Sequence, residues 1–399
     1  MAHRSGSRVP DRTRLTLGVT AAVLGLATLI GMILLRPSGE ERPNLRGLGF
    51  VSEVYDAEVV TAEDVPCQGQ ADPGVACRRV AFELLEGPHP GRTVAQELVV
   101  TSTTPDLEVG DRVTLAYDAT AAPEFQYRFV DKDRSRILVI LAVVFAAAVV
   151  ALGRLRGVAA LAGLAVSLLV LLQFILPSIL EGRDPLAVSI VGSAAIAFLA
   201  LYLAHGFTTM TTVALLGTLA SLALTAILAS VFVGLAELSG FASEEAIVVQ
   251  IGAARVDLAG IILGGVVIGA LGAIDDMTVT QASAVWELRT TNPGMARRPL
   301  ARSGLRIGRD HVASTVNTLA LAYAGASMPV LLLLILSQQP LATVISGEVI
   351  ATEVLRTLVG SIGLVAAVPL TTWLAAAAVP PADDAFTPTG RAPEGGGSG

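Results

Sequence analysis

The chain has 399 residues, 53% hydrophobic and only 15% charged, with a formal net charge of -7; soluble chains usually carry roughly 25% charged residues. The deficit is concentrated. No Asp, Glu, Lys or Arg falls between Arg14 and Arg36, Arg136 and Arg154, Arg156 and Glu181, Asp184 and Glu237, Asp257 and Asp275, His311 and Glu348, or Arg356 and Asp383. Such runs are long enough to cross a hydrocarbon core, which takes roughly 20 apolar residues as a helix, so a soluble protein, a disordered chain and a DNA-binding domain are excluded.

In chain order, the N-terminal segment 1–14 is basic, with Arg4, Arg8, Arg12 and Arg14, and the first span is expected at 15–35. A cleaved signal peptide is the rival reading, but no small-x-small site precedes Arg36 and the run is of span length. The segment 37–136 has soluble-domain composition. Its Val-, Thr-, Leu- and Tyr-rich runs at 55–61, 79–85, 92–102 and 111–117 are separated by turn clusters such as Glu86-Gly87-Pro88-His89-Pro90-Gly91. About five short strands and no helical stretch predict a small β-barrel-like domain of the OB or SH3-like kind. Both cysteines, Cys67 and Cys77, lie here, and in an oxidising compartment they read as one disulfide. A metal pair is the alternative, with only His89 nearby. The segment is acid-rich, which argues against a nucleic-acid partner.

Seven further spans follow, at 137–153, 157–177, 185–204, 209–235, 257–275, 312–336 and 355–378. The long gap from Asp184 to Glu237 must hold two of them, with a break at Gly206. The fold class is thus an α-helical polytopic membrane protein of about eight transmembrane helices, with the β-rich domain between helices 1 and 2 and a seven-helix bundle over 137–378. The tail 379–399 reads as disordered. Continuous apolar runs without period-2 alternation exclude a transmembrane barrel. Arg154, Arg156 and the series Arg289, Arg297, Arg298, Arg302, Arg306 and Arg309 fall on the same side as the N-terminus. By the positive-inside rule both termini are then cytoplasmic and the β-rich domain extracytoplasmic.

Ionisable and polar residues inside spans are costly and mark candidate sites. Three clusters stand out. Asp275-Asp276 ends the expected sixth span; His205 with Thr208, Thr209, Thr211 and Thr212 opens the fifth; Asp310-His311 with Ser314, Thr315, Asn317 and Thr318 opens the seventh. Thr and Ser at helix starts also serve as plain caps, and Asp275 can simply be solvated. The uncharged stretch Met277–Trp286 implies that the helix continues or re-enters beyond Asp276. The segments starting at His205 and His311 also align, which suggests a parallel internal repeat of the kind common in transporters. Gly260, Gly264, Gly265, Gly269 and Gly272 form a packing ladder, and Pro329 and Pro369 should kink the last two spans. No His-Glu-x-x-His, Gly-x-Ser-x-Gly, Walker or Rossmann pattern occurs, so neither an enzyme nor a bound cofactor is expected.

The runs Gly269–Glu287 and Gly308–Pro329 resemble the signature of the YibE/YibF-like bacterial membrane proteins. That pattern has a glycine-rich helix ending in Met-Asp-Val, a later Glu, then Gly-x-Asp leading into Asn-Thr-Leu and Ala-Tyr-x-Gly. The family residues fall on Asp276, Glu287, Asp310, Asn317, Thr318 and Tyr323, while Asp275 stands in place of the family's Met. The resemblance implies a multi-pass protein of the bacterial plasma membrane, without implying a substrate. The expected function is a permease-like transporter of an ion or small solute, with a polar intramembrane site near the cytoplasmic side made of Asp276, Asn317 and Thr318 and with Asp275, His205, Thr209 and Glu287 near it. Carboxylate, amide and hydroxyl oxygens suit a cation or proton. The rival is a membrane anchor presenting the β-domain for envelope assembly or signalling. The lipid bilayer and an ion or solute are the expected partners, with a second copy or an envelope protein as further candidates.

Overall fold

The computed structural model describes residues 11–39, 53–67, 76–101, 104–242, 244–253 and 255–379. Arg4, Arg8 and the tail beyond Val379 lie outside the described residues. Two compact units form, Asn44–Leu152 and the remainder, each with its own core.

In the smaller unit, β1 (Glu53–Pro66), β2 (Ala76–Leu84), β3 (Thr93–Val99), β4 (Arg112–Tyr117) and β5 (Tyr127–Lys132) make one sheet in the order β3-β2-β1-β4-β5. Every pairing is antiparallel. The inward residues alternate as a half-buried strand requires: Ala57 and Val59, Val80, Phe82 and Leu84, Val113 and Leu115 are all buried. Register shifts at Val59/Thr61 in β1 and Thr114/Leu115 in β4 bend the sheet into a half-barrel. Gln96 ties its two edges together: its Nε2 donates to the Tyr127 carbonyl at 2.9 Å and its Oε1 accepts from the Phe129 N–H at 2.9 Å. Cys67 and Cys77 are joined by a disulfide across Cα atoms 5.0 Å apart. The unit continues into α2 (Ser135–Gly153), which has no buried residue.

The larger unit holds α1 (Asp11–Leu34), α3 (Leu155–Val170), a π-turn (Leu171–Ile175), α4 (Leu176–Leu180), α5 (Pro185–His205), α6 (Thr209–Leu235) and α7 (Glu244–Gly252). It continues with α8 (Leu258–Thr291), α9 (Arg297–Ala326), α10 (Met328–Leu336), α11 (Leu341–Ser346) and α12 (Glu348–Ala378). Among the described residues seven helices are long and apolar enough to cross a membrane, and the bent pair α9–α10 makes eight. The expected break after His205 is present: Gly206 takes φ 74, a conformation open to glycine, and Thr208 caps α6.

Three boundaries differ from the expected ones. The sixth span does not end at Asp275 but runs as one helix of 34 residues to Thr291. The seventh begins fifteen residues before position 312, at Arg297, because the Arg-rich segment expected as loop is itself helical. The last starts at Glu348. Near Pro329 the chain turns by 64° between α9 and α10, since proline removes a backbone donor and crowds the preceding turn. α12 passes through Pro369 as a single helix.

Candidate functional site

α6, α8 and α12 form the centre of the bundle and approach closely because their facing positions are small. A Cβ at Gly217 in α6 would strike Thr371 in α12, and one at Gly363 in α12 would strike Thr225 in α6. The same crossing carries hydroxyls at helical spacing. Thr218, Ser221 and Thr225 line one face of α6 and are fully buried, as are Thr278 in α8 and Thr371 and Thr372 in α12.

Asp275 lies on this seam. It stands seventeen residues after Leu258, about 26 Å along a helix of about 51 Å, and so near the middle of α8. The residue is half-buried, but its Oδ1 is sealed from solvent and has no hydrogen-bond partner among the described residues. Thr218 faces the carboxyl from α6. Its hydroxyl also lies 2.8 Å from the Thr278 hydroxyl, which donates to the Asp275 carbonyl at 3.0 Å. With the Thr278 proton committed to that carbonyl, Thr218 is the donor to Thr278. One hydroxyl proton therefore has two claimants, Thr278 and the carboxylate. A buried polar group without a partner costs about 1–3 kcal/mol, so its retention here needs a reason other than packing.

Six residues further along α8, the Gln281 amide nitrogen is fully partnered. Nε2 donates to the Gly304 carbonyl and to Thr372 Oγ1, both at 2.7 Å, and joins α8 to α9 and α12. Toward the start of α8, Arg356 pairs with Glu353 at 2.7 Å and lies 6.0 Å from the Tyr323 ring, a cation–π contact. The Tyr323 hydroxyl presses on Gly269. Arg356 and Glu353 also line a cavity of about 320 Å³ with Glu245, Leu258 and Ile262.

The structure does not assemble the seven expected residues into one site. Asp276 is exposed on the face of α8 opposite the buried core, beside Gly272, whose Cβ position is open space. Asn317 and Thr318 are exposed on the side of α9 away from the bundle, because α9 meets it through Gly304, Gly308, Leu319 and Tyr323. No hydrogen bond joins either residue to the aspartates; the Thr318 hydroxyl donates to the Ser314 carbonyl. His205 is exposed at the end of α5, Thr209 is half-buried at the start of α6, and Glu287 is exposed near the end of α8. The aligned segments at His205 and His311 differ in structure, since His205 closes a helix and His311 lies inside α9.

The YibE/F-like protein family model matches residues 141–381, well over half of the chain. The chain belongs to the YibE/F-like family. No curated protein and no solved structure matches it. The family segment contains α6, α8 and α12 whole, and so the entire polar seam. Sequence reasoning missed Thr218, Thr278, Gln281, Arg356 and Glu353. The signal for the first two was present, as Thr218-Ser221-Thr225 and Asp275-Thr278 each follow the three-to-four-residue helical period.

Proposed function

We propose that the chain is a permease-like membrane transporter of an ion or small solute, with Asp275 as the group that takes up and releases a cation or proton. The observation that carries this reading is the Asp275 carboxyl, midway along a spanning helix with one oxygen sealed and unpartnered. An ionisable group in a span faces a partner or a pathway, and here the neighbours are hydroxyls that coordinate or relay without carrying charge. Thr218 supplies the switch. With Asp275 ionised, its proton turns to the carboxylate; with Asp275 protonated or cation-bound, it returns to Thr278. The exposed face of α8, from Gly269 and Gly272 to Asp276, offers an approach to the carboxyl from the side. The Arg distribution favours both termini on the cytoplasmic side of a bacterial plasma membrane.

The test is flux into liposomes containing the purified full chain, read with pH- and cation-sensitive dyes. Asp275→Asn is expected to abolish it, Thr218→Val to slow it, and Asn317→Ala to leave it intact. Flux undiminished in Asp275→Asn would overturn the proposal. The anchor reading draws support from the β-domain's forming a separate compact unit. It gains if flux is absent from the wild type while deletion of 44–134 abolishes cellular function.

A further inference from the structure

α1 and α5 run antiparallel and separate progressively toward the start of α1. A Cβ built at Gly31 would lie 2.8 Å from Val191, and one at Gly25 3.4 Å from Phe198, whereas at Gly18 nothing lies within 4 Å. α1 meanwhile stays on α6 through Leu17, which packs against the cluster containing Val213. The result is a crevice of about 460 Å³ among the three helices, within the ~300–1,000 Å³ range of small-molecule sites.

Its lining is divided by chemistry. The floor is apolar, with Gly18, Ala21, Ala22, Gly25 and Phe198. The open end carries the Tyr202 and Thr212 hydroxyls, 3.1 Å apart, with Thr208, Thr209 and the Arg14 guanidinium. Phe207 closes one side by stacking on Tyr202, ring centroids 4.5 Å apart. Among the described residues no acidic side chain lines the crevice, and Arg14 pairs with no carboxylate. A cation beside the Thr209 hydroxyl at the mouth of an apolar slot complements an anion that carries a hydrocarbon tail.

We infer that this crevice binds one glycerophospholipid with a net anionic headgroup, its phosphate held by Arg14 and the Thr209 hydroxyl and an acyl chain laid along the small-residue face of α1. A bilayer supplies this occupant at high local concentration and at the depth where span ends meet headgroups. The crevice lies outside the Asp275 seam, and the inference does not depend on transport.

Native mass spectrometry of the full chain in neutral detergent, titrated with phosphatidylglycerol or phosphatidylcholine of matched chains, tests it. The wild type is expected to retain one phosphatidylglycerol in preference to phosphatidylcholine. Arg14→Gln should weaken that preference about fivefold, the worth of one interfacial basic residue. Gly18→Leu, which enters open space and so spares the fold, should reduce retention of both lipids. Arg12→Gln, two positions before the first lining residue, should change neither. Equal lipid retention in Arg14→Gln and wild type, an equal loss in Arg12→Gln, or full displacement by inorganic phosphate at equimolar concentration each overturns the inference.

Discussion

The two units solve opposite solvation problems. In the sheet, apolar side chains are hidden and charges are paired at the surface: Arg78 with Asp64 and Asp106, Lys132 with Asp111, Arg134 with Asp131. In the bundle, many large apolar residues face outward, and buried hydroxyls share the centre with Leu215, Ile274, Met277 and Leu364. All the buried side-chain atoms without a hydrogen-bond partner, among the described residues, are in the bundle, on Ser178, Ser189, Ser193, Asp275, Arg289, Arg356, Ser361 and Thr371. Small hydroxyl residues let helices approach where lipid offers no hydrophobic drive for association, so isolated serines in that group need no functional explanation. A carboxylate is different. It is neither small nor cheap to bury, which separates Asp275 from its neighbours.

The largest expected effect tests the sheet. The disulfide spans a sequence separation of 10, and closing a loop of that size stabilises by about 2.5 kcal/mol on chain-entropy grounds. The Cys67→Ala, Cys77→Ala double variant should lose about that much, read as lost hydrogen-exchange protection of the β1 and β2 amides. The bundle amides should not change. A loss shared equally by both units would mean that they unfold together and that the contrast between them carries no energetic meaning.

A change of opposite sign is expected at the seam. Asp275→Leu removes an unpartnered buried carboxyl oxygen and should raise bundle stability by about 1–2 kcal/mol, measured as an increase in Tm of the detergent-solubilised chain. Stability and function then diverge, as they do where a site is retained against its own cost. A strongly destabilised Asp275→Leu would sink this account, for it would make the carboxyl a structural partner rather than a held-open one.

The charge gaps made the span count readable because lipid tolerates few charges, a constraint that acts on every residue of a run. Pro329 marked the bend for an equally local reason, and the Val-, Thr-, Leu- and Tyr-rich runs between turn clusters marked β1 and β2. Tyr127–Lys132 was not located as a strand: Val130 faces outward and Asp131 and Lys132 interrupt the pattern. The early start of α9 was hidden because charged residues end a span without ending a helix, whereas the continuation of α8 was legible in the uncharged stretch Met277–Trp286. The site was only half legible. Sequence flags costly residues but not the direction in which they point, and adjacent aspartates on a helix differ by about 100°, which turns Asp275 to α6 and Asp276 outward. The same rotation puts Asn317 outside the bundle although it is no less polar.

The smallest expected effect concerns Lys132, the only lysine in the chain. Its ammonium lies 2.6 Å from Asp111, whose carboxylate also accepts the Glu108 N–H at 2.7 Å. Burial pushes the Asp111 carboxyl up, but the Lys132 ammonium and the Glu108 amide outweigh it and hold the group below the usual carboxylate range. A lowered folded-state pKa means that the unfolded chain binds the proton more readily. The contribution is therefore complete above the unfolded carboxylate range near ~3.9 and is lost as pH falls through the lower folded value. For a partly exposed pair it amounts to less than about 1 kcal/mol. In Lys132→Met, burial acts with less opposition, so acid loss of β4 and β5 amide protection should begin at higher pH than in the wild type. An unchanged acid midpoint would show that the pair contributes nothing. Asp275→Leu should leave this midpoint where it is, since the paired surface of the sheet and the unpaired seam of the bundle have no titrating group in common.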